Sequence, residues 1–166
     1  MKSTSSLTRS YRDPTAPLHL RWTLPPSKSL WARALLLDAL RGKLPHFDFA
    51  EGTPQDILAL HAALLAYQEG AEEINVSESG TAMRFVCAYL AVTTQRPVRL
   101  SGTGRQHERP IAPLVEALRS QGAKITYLNY EGYPPLLIEP STFAWQGCEL
   151  DASSSSQYLS ALLLLA

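Results

Sequence analysis

Cations and small hydroxyl residues recur together along this chain. Lys28 lies between Ser27 and Ser29 with Arg33 five residues later, Arg84 is three residues after Ser77-Glu78-Ser79-Gly80-Thr81, and Arg105 closes Ser101-Gly102-Thr103-Gly104. A further run, Ser153-Ser154-Ser155-Ser156-Gln157, precedes an apolar stretch. Where such a knot opens a helix, free backbone amides and the positive end of the helix dipole meet small polar side chains, an environment suited to an anion. Each helix end contributes about 1 to 2 kcal/mol in a partly buried setting, and a charge-assisted bond from a guanidinium about 1.5 to 3 kcal/mol. Helix ends alone therefore do not hold a multiply charged ligand. The neighbouring cations make a phosphorylated, carboxylated small molecule the ligand class that fits.

Taken singly, Ser27, Ser29, Ser77, Thr81 and Ser153 read equally well as ordinary N-caps, and a run of four serines is more often a loop than a site. Arg33 and Arg84 are harder to dismiss, because a guanidinium rarely enters an apolar helix face without a partner. His19, His46, His61 and His107 are scattered, with no nucleophile or carboxylate at a supporting spacing. Gly102-Thr103-Gly104 is neither a phosphate-binding Walker loop nor a dinucleotide fingerprint, and no acyl-transfer motif occurs.

The elements that must position these residues are legible from periodicity. Leu18 to Leu24 alternates as a half-buried strand and Pro25-Pro26 stops it. From Ser27 to Leu40 the pattern predicts a helix apolar on most sides, hence buried, with Gly42 closing it. Thr53-Pro54-Gln55-Asp56 predicts a capping-box start for an amphipathic helix running to Gly70. Glu73 to Val76 is expected as a short strand, Ala82 to Val92 as a second helix apolar nearly all round, and Val98 to Leu100 as a strand. Pro110 to Gln121 predicts an amphipathic helix stopped by Gly122, and Lys124 to Leu128 with Leu136 to Ile138 predicts a hairpin. Strand, knot, buried helix and capped helix thus form a weak internal repeat, and alternation of strands with helices argues an α/β architecture.

Composition narrows the function classes. The 166 residues carry 15 Lys+Arg against 15 Asp+Glu, which removes the basic footprint of a duplex-binding protein, so nucleic acid is not an expected partner. Cys87 and Cys148 lack any metal-ligand spacing, so no metal site is expected and a reduced, cytoplasmic chain is. No apolar run is long enough for a membrane span or a signal-peptide core. The Leu-rich end at Leu162-Leu163-Leu164-Leu165-Ala166, without a capping residue or polar tail, suggests a truncated domain.

Four blocks carry a family resemblance: Leu24-Pro-Pro-Ser-Lys-Ser-Leu-Trp-Ala-Arg-Ala-Leu-Leu-Leu37, Gly80-Thr-Ala-Met-Arg84, Arg105-Gln-His-Glu-Arg-Pro-Ile111 and Ser155-Ser-Gln157. In this order they resemble the 5-enolpyruvylshikimate-3-phosphate synthase branch of the enolpyruvyl transferases, and the UDP-amino-sugar branch is the alternative. The resemblance implies a two-lobed fold, an inside-out α/β barrel built from βαβαββ units. Residues 1–24 are then a tail and strand packing with the other lobe, and residues 25–166 part of the N-terminal lobe: about two of its three units and the first helix of the third. It implies transfer of the enolpyruvyl group of phosphoenolpyruvate to the 5-hydroxyl of shikimate 3-phosphate, a step of chorismate and aromatic amino-acid biosynthesis, with no cofactor.

By the same resemblance Lys28 contacts both substrates, and Ser29, Arg33, Ser155 and Ser156 hold shikimate 3-phosphate. Gly80, Arg84 and Arg105 serve phosphoenolpyruvate, and Gln157 lies between the two ligands. No catalytic acid or base falls in this chain, since the family's lie in the other lobe, so the chain alone is expected to lack turnover. A family member of full length is expected to be monomeric and a fragment to self-associate through an uncovered apolar face. A stand-alone anion-binding module derived from the same lobe is the non-enzymatic reading. Pro26, Glu78 and Phe85 depart from the residues usual in the family, and Glu78 would repel an anionic ligand unless Arg84 or Lys28 neutralises it or it turns away from the site.

Overall fold

The computed structural model describes residues 27–153 and 155–166. The expected strand over Leu18 to Leu24, its Pro25-Pro26 stop and Ser154 lie outside the described residues. In chain order the elements are α1 (Lys28–Leu40), α2 (Gln55–Gln68), β1 (Glu73–Asn75), α3 (Gly80–Thr93), β2 (Val98–Ser101), a 3-10 turn (Gly104–Glu108), α4 (Ala112–Ser120), β3 (Lys124–Tyr127), β4 (Leu136–Glu139) and α5 (Ser156–Leu163). The run from β1 to β4 is one complete βαβαββ unit. Helices α1 and α2 precede it and α5 follows.

The four strands form one mixed sheet in the order β1-β2-β4-β3. β1 and β2 are parallel and joined through α3, whereas β4 folds back antiparallel between β2 and β3. Register aligns the apolar positions into rows: Ile74 opposite Leu100, Leu100 opposite Leu136, and Ile138 between Val98 and Ile125. Because side chains alternate along a strand, these residues share the buried face, against which α3 and α4 pack, while Arg99 and Lys124 point to solvent.

Helix α3 is central. It touches α1, α2, α4, α5 and the sheet, and every residue from Gly80 to Ala91 except Arg84 is buried. That explains its apolar composition on nearly all sides. α1 has the same composition and a different fate: Ala32, Leu35, Leu36 and Ala39 are buried against α2 and α3, yet Leu30 is 65% exposed. The expectation of a helix buried all round is corrected here. Apolar composition predicts burial only where neighbours exist on every side, and among the described residues none covers the face of α1 that carries Leu30.

Helix ends follow the sequence at the C-terminal side more closely than at the N-terminal side. After α4, Gly122 takes φ +97 and the amide of Ala123 reaches back to the Leu118 carbonyl. A Cβ there would also meet the Thr142 carbonyl oxygen at 2.5 Å, so only glycine fits. The same long bond closes α1 (Lys43 to Asp38) and α2 (Ala71 to Ala66). By contrast, the capping box expected at Thr53 does not form: the Thr53 hydroxyl donates to the Ala50 carbonyl, Pro54 occupies the cap position, and the Asp56 carboxylate turns to other elements. α3 starts two residues earlier than expected, at Gly80, because Ser79 caps it by accepting from the Ala82 amide at 3.0 Å. α4 starts two residues later than expected, at Ala112, behind the 3-10 turn.

Candidate active site

The starts of α1, α3 and α5 meet. Lys28, Ser29 and Arg33 from α1, Thr81 from α3, and Gln157 and Ser160 from α5 line one narrow cleft. Arg33 spans it, donating through Nη1 to the Ser29 carbonyl at 2.9 Å and through Nη2 to the Ser160 hydroxyl at 2.9 Å. Gln157 closes the opposite side. Its Oε1 accepts from Arg84 Nη1 at 3.0 Å and its Nε2 donates to Thr81 Oγ1 at 3.1 Å, so the two partners fix the orientation of the amide. Ser155 caps α5 by accepting from the Gln157 amide at 3.2 Å, and Ser156 stands exposed at the first position of that helix.

Lys28 also borders a second, wider cleft, shared with Asp56, Ser77, Glu78 and Ser79. Its ammonium donates to Asp56 Oδ2 at 2.7 Å, and the other carboxylate oxygen of Asp56 accepts a short hydrogen bond from Ser79 Oγ. One carboxylate at the start of α2 thus joins the starts of α1 and α3. Burial by itself raises the Asp56 carboxyl, but the hydrogen bonds from Lys28 and Ser79, with the charges of Lys28 and Arg109, outweigh it and hold the group below the usual carboxylate range. Asp56 is therefore an ionised strut at neutral pH and not a proton donor.

Gly80 makes room for cations. A Cβ at this position would lie 2.7 Å from Arg84 Nη1 and 3.2 Å from Arg109 Nη1, so the two guanidinium groups close over the start of α3 only because residue 80 has no side chain. Arg109 donates to the Glu78 carbonyl at 3.1 Å. Arg84 Cζ lies 5.0 Å from the centroid of the Tyr158 ring, and its buried Nε has no hydrogen-bond partner among the described residues. The loop before α3 is held by Ser77, which adopts φ +53, a conformation costly for a residue with a Cβ. Its amide donates to Asn75 Oδ1 at 2.7 Å and its carbonyl accepts from the Thr103 amide at 2.9 Å.

Of the residues singled out from sequence, the fold brings Lys28, Ser29, Arg33 and Gln157 around one cleft, with Arg84 reaching it through the Gln157 amide and Gly80 lying against the Arg84 guanidinium. Ser155 and Ser156 stand at the start of α5. Arg105 is elsewhere: it lies on the 3-10 turn, 86% exposed, and pairs at 3.6 Å with Glu108. The Glu78 carboxylate is paired with neither Lys28 nor Arg84 and lies against Gly104. Sequence reasoning missed Asp56, Arg109 and Tyr158. Asp56 falls in the expected capping box, Arg109 lies in the Arg105–Ile111 block with no role implied, and Tyr158 opens the apolar stretch after Gln157.

An α/β unit whose helix starts gather Lys28, Arg33, Arg84 and Arg109 around small hydroxyls and an amide presents the donors and positive charge that suit a small polyanion. The sequence model of EPSP synthase (3-phosphoshikimate 1-carboxyvinyltransferase) matches residues 56–166, and the chain belongs to that family. A 3-phosphoshikimate 1-carboxyvinyltransferase of Bacteroides fragilis is 40% identical over 153 residues, covering 91% of this chain and 36% of the relative. One from Methanospirillum hungatei is 35% identical over 170 residues, covering 90% of this chain and 39% of the relative. The solved EPSP synthase of Acinetobacter baumannii shares the fold with a TM-score of 0.67 at 22% identity, over 86% of this chain and 37% of that one. The chain therefore spans little more than a third of the length of these relatives. Lys28, Ser29 and Arg33 precede the span that the family model matches.

Proposed function

We propose that this chain forms the substrate-holding face of an enzyme that transfers the enolpyruvyl group of phosphoenolpyruvate to the 5-hydroxyl of shikimate 3-phosphate, releasing phosphate. The observation that carries the reading is the gathering of Lys28, Arg33, Arg84 and Gln157 at three helix starts in a chain of this family. In this reading Ser29, Arg33, Ser155 and Ser156 hold shikimate 3-phosphate, and Gly80, Arg84 and Arg105 hold phosphoenolpyruvate. Lys28 serves both ligands and Gln157 separates them. Residues 25–166 are assigned to part of one lobe, and the expected segment 1–24 lies outside the described residues.

These residues orient two anions and stabilise charge as the carbon–oxygen bond forms and phosphate leaves. Asp56, held ionised by Lys28 and Ser79, does not serve the proton transfer to the methylene carbon, which needs another group. We assign that group to protein outside these 166 residues, and the chain alone is expected to bind without turning over. The exposed Arg105 reaches phosphoenolpyruvate in this scheme only after leaving Glu108, an exchange of low cost for a solvent-exposed pair.

Calorimetric titration of shikimate 3-phosphate into the chain tests the reading. Weak binding is expected, reduced at least tenfold by Arg33→Ala, with no phosphate released when phosphoenolpyruvate is added. Absence of binding, or binding indifferent to Arg33, defeats the proposal. Binding without any recovery of turnover when the C-terminal part of a relative is supplied favours the stand-alone anion-binding module.

A further inference from the structure

Tyr158 lies in the first turn of α5 and is 1% exposed, a position at which an apolar side chain would fill the same space. Its two ends do separate things. The ring carries the Arg84 guanidinium at 5.0 Å from its centroid, and the hydroxyl donates to the Pro110 carbonyl at 2.6 Å. Pro110 is bonded to Arg109, whose Nη1 faces Gly80 beside Arg84 and donates to the Glu78 carbonyl.

Arg84 has few other restraints. Its Nη1 donates to Gln157, its Nε is buried with no partner among the described residues, and its Cζ lies over the aromatic ring. A planar cation held by one hydrogen bond still rotates about it. The ring limits that freedom, because cation–π attraction holds the guanidinium carbon over its face. The hydroxyl does the equivalent for the backbone that bears Arg109.

We propose that Tyr158 is a positioning residue that sets both guanidinium groups at Gly80, Arg84 through its ring and Arg109 through the Pro110 carbonyl, and so tunes this seat for the carboxylate or phosphate of phosphoenolpyruvate. The inference deepens the assignment of Gly80 and Arg84 to that ligand and rests on it.

The test separates ring from hydroxyl. In the 166-residue chain, Tyr158→Phe is expected to leave the ring-current shift of the Arg84 Nε–H resonance in place, to move the Arg109 side-chain resonances, and to weaken phosphoenolpyruvate about threefold. Tyr158→Leu is expected to abolish the Arg84 shift and weaken binding at least tenfold while the backbone amide spectrum stays folded. The proposal falls if the Arg84 resonance is the same in Tyr158→Leu as in the parent, or if Tyr158→Phe changes neither the Arg109 resonances nor the affinity. The second criterion stands by itself should Tyr158→Leu not fold. If the parent chain binds no phosphoenolpyruvate, the ligand assignment fails instead, and the Arg84 and Arg109 resonances still decide whether Tyr158 positions them.

Discussion

Asp56 shows how one side chain sets the behaviour of a site. Its folded-state pKa is lowered, so its contribution to stability is present above the unfolded carboxyl's range and is lost as pH falls through the folded value. Asp56→Asn keeps an acceptor for Ser79 but loses the ion pair with a half-exposed Lys28, so it is expected to cost about 1 kcal/mol at pH 7 in chemical denaturation. That difference should vanish at acid pH, and a difference independent of pH would show that Lys28 does not use this carboxylate. Gly80→Ala acts by space. Its Cβ would force Arg84 and Arg109 apart, so phosphoenolpyruvate binding is expected to weaken about tenfold by calorimetry, with stability altered by less than about 1 kcal/mol. Unchanged affinity would remove Gly80 from the seat. Residue types alone announced Lys28, Arg33 and Arg84, because a cation beside small polar residues in an apolar segment has to find an anion or an acceptor there. They did not announce Asp56, whose neighbours Lys28 and Ser79 are distant in sequence and meet it only when three helices pack.

At the scale of elements, the serine knots prove unequal. Ser79 caps α3 through the Ala82 amide and also binds Asp56, whereas the Ser27 hydroxyl contacts Ser29 Oγ at 3.2 Å and caps nothing. Ser79→Ala is therefore expected to cost about 1 to 2 kcal/mol, and Ser27→Ala less than about 0.5 kcal/mol. Equal losses in thermal unfolding would contradict the assignment of caps. The two serines look alike in sequence, where both precede an apolar helix. What distinguishes them is the loop behind: Ser77 at φ +53, tied to Asn75 and Thr103, aims Ser79 at the free amides of α3. Helix stops were legible for the opposite reason. A glycine after the last turn needs only its own conformational freedom and a backbone amide already in the helix, both local to the chain.

For the whole molecule, one continuous core links both sets of helices to the sheet and includes Cys87, while Cys148 is exposed. Burial pushes the Cys87 thiol up to about 12, so a thiol reagent at pH 8 is expected to titrate Cys148 alone in the native chain and both thiols after unfolding. Rapid reaction of two thiols would mean that α3 is not packed as described. Among the described residues no helix is long and apolar enough to cross a membrane. The α/β class, the order of strands and helices from α1 onward and the helix stops were readable along the chain, because periodicity and glycine act over a few residues. Packing was needed to enclose α3 while leaving Leu30 of α1 exposed among the described residues, to leave Arg105 exposed and paired with Glu108, and to bring Asp56, Arg109 and Tyr158 to the helix starts. The difference is one of range. Burial, ion pairing and the orientation of a guanidinium depend on which helix starts come within a few ångströms, and residues as far apart in the chain as Arg33 and Ser160 become neighbours only when α1, α3 and α5 pack together.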